Sequence, residues 1–392
     1  LRIDMVARFF PPLFGGAGWQ AKVQAEALAR RGHSVRVWTA VTGDLPPQSI
    51  RVQNGVEVHY LRVPSRIGGN PLEPADWPFS VTLASRIRRK DTDLVMLHGW
   101  LNRPPLMRKL WLRNIPFVAR MTLLGSDDPV TVNSRSLGYK WRLWQLRLAD
   151  RVVAISEALY NSALKMRFNR RLRLIPNCVS PQLFFPAHDE EKLSIRRQLA
   201  MPQFDFLALC VASIKPRKQV HLLINAWKKV IASARGAGLY LVGPLQENDY
   251  LRQLQAQIKA AGIQDHVVFT GQVSHDDAAR YFRAADLFVF ASAREGLPNA
   301  CLEAQACALP AVVMDTPGVT NFVYRDGGAV TVAQENSDAF ATAVLELMQQ
   351  PAHYSRVARE AYTSFQKRFS AESIAEAYEA QFMDVLRERG RV

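Results

Sequence analysis

Between Asp286 and Asp315 the chain reads DLFVFASAREGLPNACLEAQACALPAVVMD, and few architectures accommodate that stretch. Leu287–Phe290 and Ala311–Met314 are apolar runs with the length of buried strands, and Pro298–Leu309 between them has the composition of a helix. One βαβ unit results, which forces two parallel neighbours in a sheet covered by helices. Pro298 is expected at the first helical position, where its fixed φ suits the helix and its missing N–H is not needed. The amides of Asn299 to Leu302 are then turned toward the Arg294–Leu297 loop. A helix start at the carboxyl end of a parallel strand is a site for phosphate or another anion.

Two acids are out of place in such a unit. Glu303 lies in a helix whose other residues, Ala300, Cys301, Leu302, Ala304, Ala306, Cys307, Ala308 and Leu309, are apolar nearly all round. A carboxylate there needs a partner, and a neighbouring Arg or Lys is the plain expectation. Glu295, in the preceding loop, reads on its own as a solvated acid. Taken with the helix start, the two acids suit a ligand that carries both hydroxyls and a diphosphate.

The segment Glu295-Gly-Leu-Pro-Asn-Ala-Cys-Leu-Glu303-Ala, with its ACALP continuation and flanking strands, resembles the E-x7-E motif of family 4, retaining glycosyltransferases with the GT-B fold. The resemblance implies that Glu295 and the backbone of Gly296, Leu297, Pro298 and Asn299 meet the donor sugar and its diphosphate. It implies that Glu303 holds the ribose. It further implies two Rossmann-like doubly wound α/β domains facing a cleft, with a C-terminal helix that crosses back to the first domain.

The full 392 residues suffice for two domains, and 48% apolar content makes them globular. No run of about twenty apolar residues is present, so no transmembrane helix is expected. LRIDMVARFFPP has no charged leader before an apolar core, so no signal peptide is expected either. Cys178, Cys210, Cys301 and Cys307 lack close metal-ligand spacing and read as small buried residues. Charge is unevenly placed. Residues 1–180 carry 28 Lys and Arg against 12 Asp and Glu, and the remainder carries 22 against 23. The first half is therefore expected to meet an acidic surface or substrate.

That half opens with a strand at Ile3–Phe10, a PPLFGGAG turn and a helix from Trp19 to Arg31. A glycine-rich turn lets backbone amides approach phosphate, though the spacing is wrong for a dinucleotide fingerprint. It resembles the family 4 opening, in which the glycines matching Gly15 and Gly16 border the donor diphosphate. Further strands are read at Ser34–Thr39, Val56–Val63, Leu94–Leu97 and Asn114–Arg120, with a helix at Ser80–Lys90. Many family members place a His after the last of these strands. Here Thr122 or Leu124 stands at that position, which leaves His98, on the neighbouring strand, as a candidate beside Thr122 for the acceptor side. Two segments, RPPLMRKLWLR at Arg103–Arg113 and GYKWRLWQLRLA at Gly138–Ala149, interleave basic residues with Trp and Leu at helical spacing. Either the apolar residues face the core, or the helices present Trp and Lys or Arg to an anionic membrane. Ile175-Pro-Asn-Cys-Val179 resembles the family's I-P-N-G-V segment, with Cys178 in place of Gly.

Domain limits are read as 1–180 for the acceptor domain, 181–189 for a linker, 190–368 for the nucleotide-sugar domain and 369–392 for the returning helix. In the second domain, Phe206–Ala212 is a strand and Ser213–Lys218 its turn. The resemblance assigns Lys218 to the diphosphate, places Ser213 where family members carry Arg, and leaves Lys215 or Arg217 to supply a second positive charge. Gln272 and Val273 match the main chain that meets the base. Near Gly318 a Glu common in the family is absent.

The expected activity is transfer of a hexose-type sugar from a nucleoside-diphosphate sugar, UDP before GDP, with retention and without a metal or other cofactor. Glu295 and Lys218 are the expected catalytic residues, and a glycan or lipid-linked hydroxyl the acceptor, in bacterial polysaccharide synthesis. The expected location is the cytoplasm, at the inner face of the membrane as a peripheral protein. A rival is a non-catalytic GT-B-like protein that binds membrane or a partner through its basic half. Specific nucleic-acid binding is not expected, because no module accompanies the charge.

Overall fold

Apolar runs too long to alternate become strands buried on both faces, as parallel sheets require. The computed structural model describes residues 1–11, 16–41, 50–62 and 76–391. One unit comprises Leu1–Cys178 with the chain from Ala371 onward, and the other Val179–Ser370.

The first unit holds β1 (Arg2–Ala7), β2 (Ser34–Val41), β3 (Ile50–Gln53), β4 (Val56–Arg62), β5 (Leu94–His98), β6 (Phe117–Met121), β7 (Arg151–Ala154) and β8 (Leu172–Leu174). Their order is β3-β4-β2-β1-β5-β6-β7-β8, parallel except for the β3–β4 pair. Asn54 and Gly55 join that pair with positive φ at both, the turn that Asn-Gly favours because its twist matches the strands. Asp4, fully buried in β1, is satisfied: Arg36 donates to both carboxylate oxygens at 2.9 Å, Trp38 Nε1 donates at 2.8 Å, and the Thr92 hydroxyl bonds to it as well. The Ala371–Glu388 helix returns to this unit and buries Ile374, Tyr378 and Phe382 in its core. Arg30 and Glu372 at 3.0 Å, and Arg389 and Asp150 at 2.7 Å, pin its two ends.

The second unit holds β9 (Phe206–Val211), β10 (Ala237–Val242), β11 (Val267–Gly271), β12 (Leu287–Phe290), β13 (Ala311–Met314) and β14 (Ala329–Val332). Their order is β11-β10-β9-β12-β13-β14, parallel throughout. Both units are Rossmann-like and doubly wound, the fold class that the sequence implies. Strand order reverses between β1 and β5 in one sheet and between β9 and β12 in the other, and such switch points open a crevice at the carboxyl ends of the strands.

Several limits move. The strand read to Val63 ends at Arg62, and Val63 lies outside the described residues, as does Gly15. The first helix spans Gly16–Arg30 and the second Asp76–Arg86. The helix Asp189–Gln198, with three acids in its first turn, and the strands β3 and β14 are additions to the sequence reading. All four cysteines are buried and unpaired with one another.

Candidate functional site

β9 and β12 are neighbours, so the turn after one and the loop after the other must meet. After β9 the chain makes a tight 3-10 turn at Pro216–Lys218, and Gln219 takes a left-handed conformation before the Val220–Ser233 helix. Lys218 is thereby swung toward β12, its Nζ 5.3 Å from the centre of the Phe290 ring. Glu295 Oε1 receives the Lys218 Nζ at 2.5 Å, the Arg217 Nη1 at 3.0 Å and the Ser292 hydroxyl at 2.6 Å. The Ala293 amide donates to the Arg217 carbonyl at 3.0 Å, and Arg217 also bonds the Arg294 carbonyl. Glu295 is thus no solvated loop acid: its side chain is 9% exposed. Burial alone would raise its pKa, but the charge and hydrogen bond of Lys218, with help from Ser292 and Arg217, hold it below the usual carboxylate range. Two cations face one carboxylate, so the cluster carries a net positive charge. Glu295 Oε2 accepts no hydrogen bond from the described residues. It is the oxygen available to a hydroxyl.

The loop is braced from behind. Thr316, fully buried, donates to the Ser292 carbonyl at 2.6 Å and accepts from Gln334 at 2.8 Å. Gly318 has φ +85°, and a Cβ there would lie 2.8 Å from the Gly296 carbonyl oxygen. The helix itself starts one residue later than expected. Pro298 is its cap, with an extended ψ of 113°, and Asn299–Ala306 are helical. The Cys301 amide turns back to the Pro298 carbonyl at 3.1 Å, so it does not point into the loop as anticipated. Among the described residues Glu303 meets neither Arg nor Lys but His275, whose Nε2 lies 3.5 Å away. Because His275 follows the turn of Gln272 and Val273, that contact brings the turn at the end of β11 beside the Glu303 helix. Ser213 lies half-buried at the end of β9.

In the first unit, Gly16 begins the helix after β1. His98 ends β5 and pairs in register with Arg120 of β6. The Arg120 guanidinium is buried with no carboxylate partner among the described residues. It donates to His98 Nδ1 at 3.3 Å and bonds the Asn177 side chain. Since a guanidinium only donates, Nδ1 must be the acceptor and the proton must sit on Nε2. Burial, then the charge of Arg120, pushes the His98 imidazole well below its ordinary value. His98 is therefore a neutral residue whose Nε2–H has no partner among the described residues. Thr122 is occupied: its hydroxyl donates to Asp127 Oδ2 at 2.9 Å, and the amides of Thr122 and Leu123 bond the same carboxylate. Burial raises that carboxyl to about 6 despite these donors.

Arg120 and its bond to His98 went unrecognised in the sequence. The only signal was a basic residue in the apolar strand Phe117–Met121. Replacing Arg120 by Met is expected to raise the His98 pKa and release the tautomer, read from the imidazole nitrogens by NMR. An unchanged tautomer and titration would remove Arg120 from this role.

Among the described residues no group of three or more His, Cys, Asp or Glu side chains is placed to hold a metal ion. The comparisons with known proteins divide as the fold does. A model described as Glycosyltransferase Family 4 matches residues 14–183, and one described as Glycosyl transferases group 1 matches residues 191–364. An uncharacterised glycosyltransferase of Methanocaldococcus jannaschii is 26% identical, with 96% of each chain covered. The N-acetyl-α-D-glucosaminyl L-malate synthase of Bacillus anthracis is 22% identical, again over 96% of each. Among solved structures, HepE of Anabaena in complex with UDP superposes with a TM-score of 0.76 at 18% identity, covering 98% of this chain and all of that one. With both halves matched, both sheets wound about a switch point and a charged cluster at the second, the chain belongs to the superfamily of glycosyltransferases with the GT-B fold, which act on a nucleotide-sugar donor and an acceptor.

Proposed function

We propose that the chain is a family 4 hexosyltransferase that takes its sugar from UDP, with GDP as the alternative, and delivers it with retention to a hydroxyl of a glycan or lipid-linked acceptor. The observation that carries this reading is the convergence of Lys218, Arg217 and Ser292 on one oxygen of Glu295 at the switch point of the second sheet. Breaking a sugar–phosphate bond places negative charge on the leaving diphosphate, and fixed cations stabilise that charge without reorganising. Lys218 and Arg217 supply them here, with the amides at the Asn299 helix start as further donors. No metal is required in this scheme. Glu295 Oε2 orients a sugar hydroxyl and supports positive charge at the anomeric carbon. The acceptor is deprotonated by a diphosphate oxygen on the face from which the leaving group departs. Glu303 binds the ribose, Gln272 and Val273 meet the base through their backbone, and Ser213 lines the diphosphate. His98, with its Nε2–H, and Thr122 lie on the acceptor side. The work is placed in the cytoplasm, in assembly of a surface polysaccharide.

Thermal unfolding with UDP, GDP, ADP and CMP in turn tests the reading. At about 100 times its dissociation constant, the matching diphosphate adds about 2.7 kcal/mol of stability. UDP is expected to give the shift. A shift with none would transfer the weight to a non-catalytic protein that binds through its basic half.

A further inference from the structure

The Leu137–Leu146 helix has two apolar faces, and only one is covered. Leu143 and Leu146 are buried in the first unit. Leu137, Trp141 and Trp144, at positions i, i+4 and i+7, form a second stripe that is 81%, 40% and 57% exposed. The helix Pro104–Leu112 packs beside it, joined through Arg142 and Asn102 at 2.9 Å, and exposes Trp111 and Leu112. At the other end Arg135 donates to the Gly125 carbonyl at 3.3 Å, tying down the loop after β6 that exposes Leu123 and Leu124. Scattered exposed apolar residues need no explanation, but an aligned stripe of large ones on adjoining elements does.

The exposed charges of the segment that builds this surface have one sign. From residue 101 to residue 149 the only acids are Asp127 and Asp128, and both are buried. Arg108, Lys109 and Lys140 have no carboxylate partner among the described residues, and Arg113 and Arg147 stand at the exposed ends of the same helices. Tryptophan at headgroup depth with Lys and Arg beside lipid phosphates is the chemistry of an interfacial helix. A protein partner would need to be acidic over the whole of this surface, whereas an anionic bilayer is so by composition.

We propose that the exposed face of Leu137–Leu146, continued by Trp111, Leu112 and the Leu123–Leu124 loop, docks on an anionic lipid surface, with the Trp side chains lying among the headgroups. This inference does not depend on the identity of the donor. No described helix is long and apolar enough to cross a membrane, so the contact is peripheral.

The test is flotation of the full chain with vesicles of phosphatidylcholine alone or with roughly one-third phosphatidylglycerol, at about 0.15 M salt. Binding is expected to the anionic vesicles only, with a blue shift of Trp emission. Trp144→Ser should weaken it about tenfold, from the lost apolar area. Lys140→Gln should weaken it roughly fivefold, from one fewer charge near the surface. Both positions are exposed, so thermal unfolding should stay unchanged. Equal binding to neutral vesicles, or none to anionic ones, overturns the proposal. So does self-association in vesicle-free buffer that Trp144→Ser abolishes, which would assign the face to a second copy of the chain.

Discussion

Lys218→Ala is expected to lower turnover by about 10²- to 10³-fold, the usual consequence of losing one preorganised group that faces developing negative charge. Its structural effect has a separate cause. With Lys218 gone, Glu295 keeps Arg217 and Ser292 but loses its shortest contact, 2.5 Å, between side chains 12% and 9% exposed. The loss of one hydrogen bond to a charged group, about 1.5–3 kcal/mol, is the expected fall in stability. Adding Glu295→Gln should then cost less than the same change alone, because the Lys218 contact is already gone and only those of Arg217 and Ser292 remain to be lost, and it should not recover activity. Melting curves and initial rates on the single and double variants separate the two effects. Full additivity in stability, or near-normal rates, would remove the pair from the site. The pH dependence has a definite sign. Glu295 is held below its ordinary value of 4.5, so its ion pair contributes fully above that value, and the contribution is lost as pH falls through the lowered one.

Gly243→Ala is expected to be the most destabilising single change near this site. Gly243 follows β10 with φ +141°, which side chains rarely adopt, and a Cβ there would lie 2.1 Å from the Ala212 carbonyl oxygen. Backbone, not a pliant side chain, is what it would strike. The conflict falls on Ala212 and Ser213, the start of the turn that delivers Lys218. Strain and displacement together should cost about 3–5 kcal/mol. At roughly 2–4 °C per kcal/mol for a unit of this size, the melting temperature should fall by about 10 °C. A fall within a degree or two would mean that the β9 turn yields without effort. In that case Lys218 is not rigidly positioned.

The sequence was legible where a rule is local. βαβ units follow from apolar runs separated by helical stretches, and β9, β12 and β13 lie close to where those runs stand. Limits slipped by a few residues where a cap decided them: Pro298 suits a helix start by its φ, but only its ψ of 113° makes it a cap instead of the first helical residue. Asn54-Gly55 was a readable hairpin signal that went unused. At Glu303 an acid in an apolar helix was expected to meet Arg or Lys; it is half-buried and lies 3.5 Å from His275, which another helix supplies.

By itself the sequence determined alternating strands and helices, the βαβ unit with its two acids, and a basic first half, since periodicity, turn chemistry and charge are properties of neighbours along the chain; two doubly wound domains were what the family resemblance implied. What only the tertiary structure decided were meetings between distant residues. Lys218 donates to Glu295 Oε1 because β9 and β12 are adjacent in one sheet. His98 is fixed as a neutral donor because Arg120 stands opposite it in the register of β5 and β6. The same holds for the tryptophans: the helical period of Leu137–Leu146 places apolar residues on both sides, and burying one side against the first unit is what turns Trp141 and Trp144 outward.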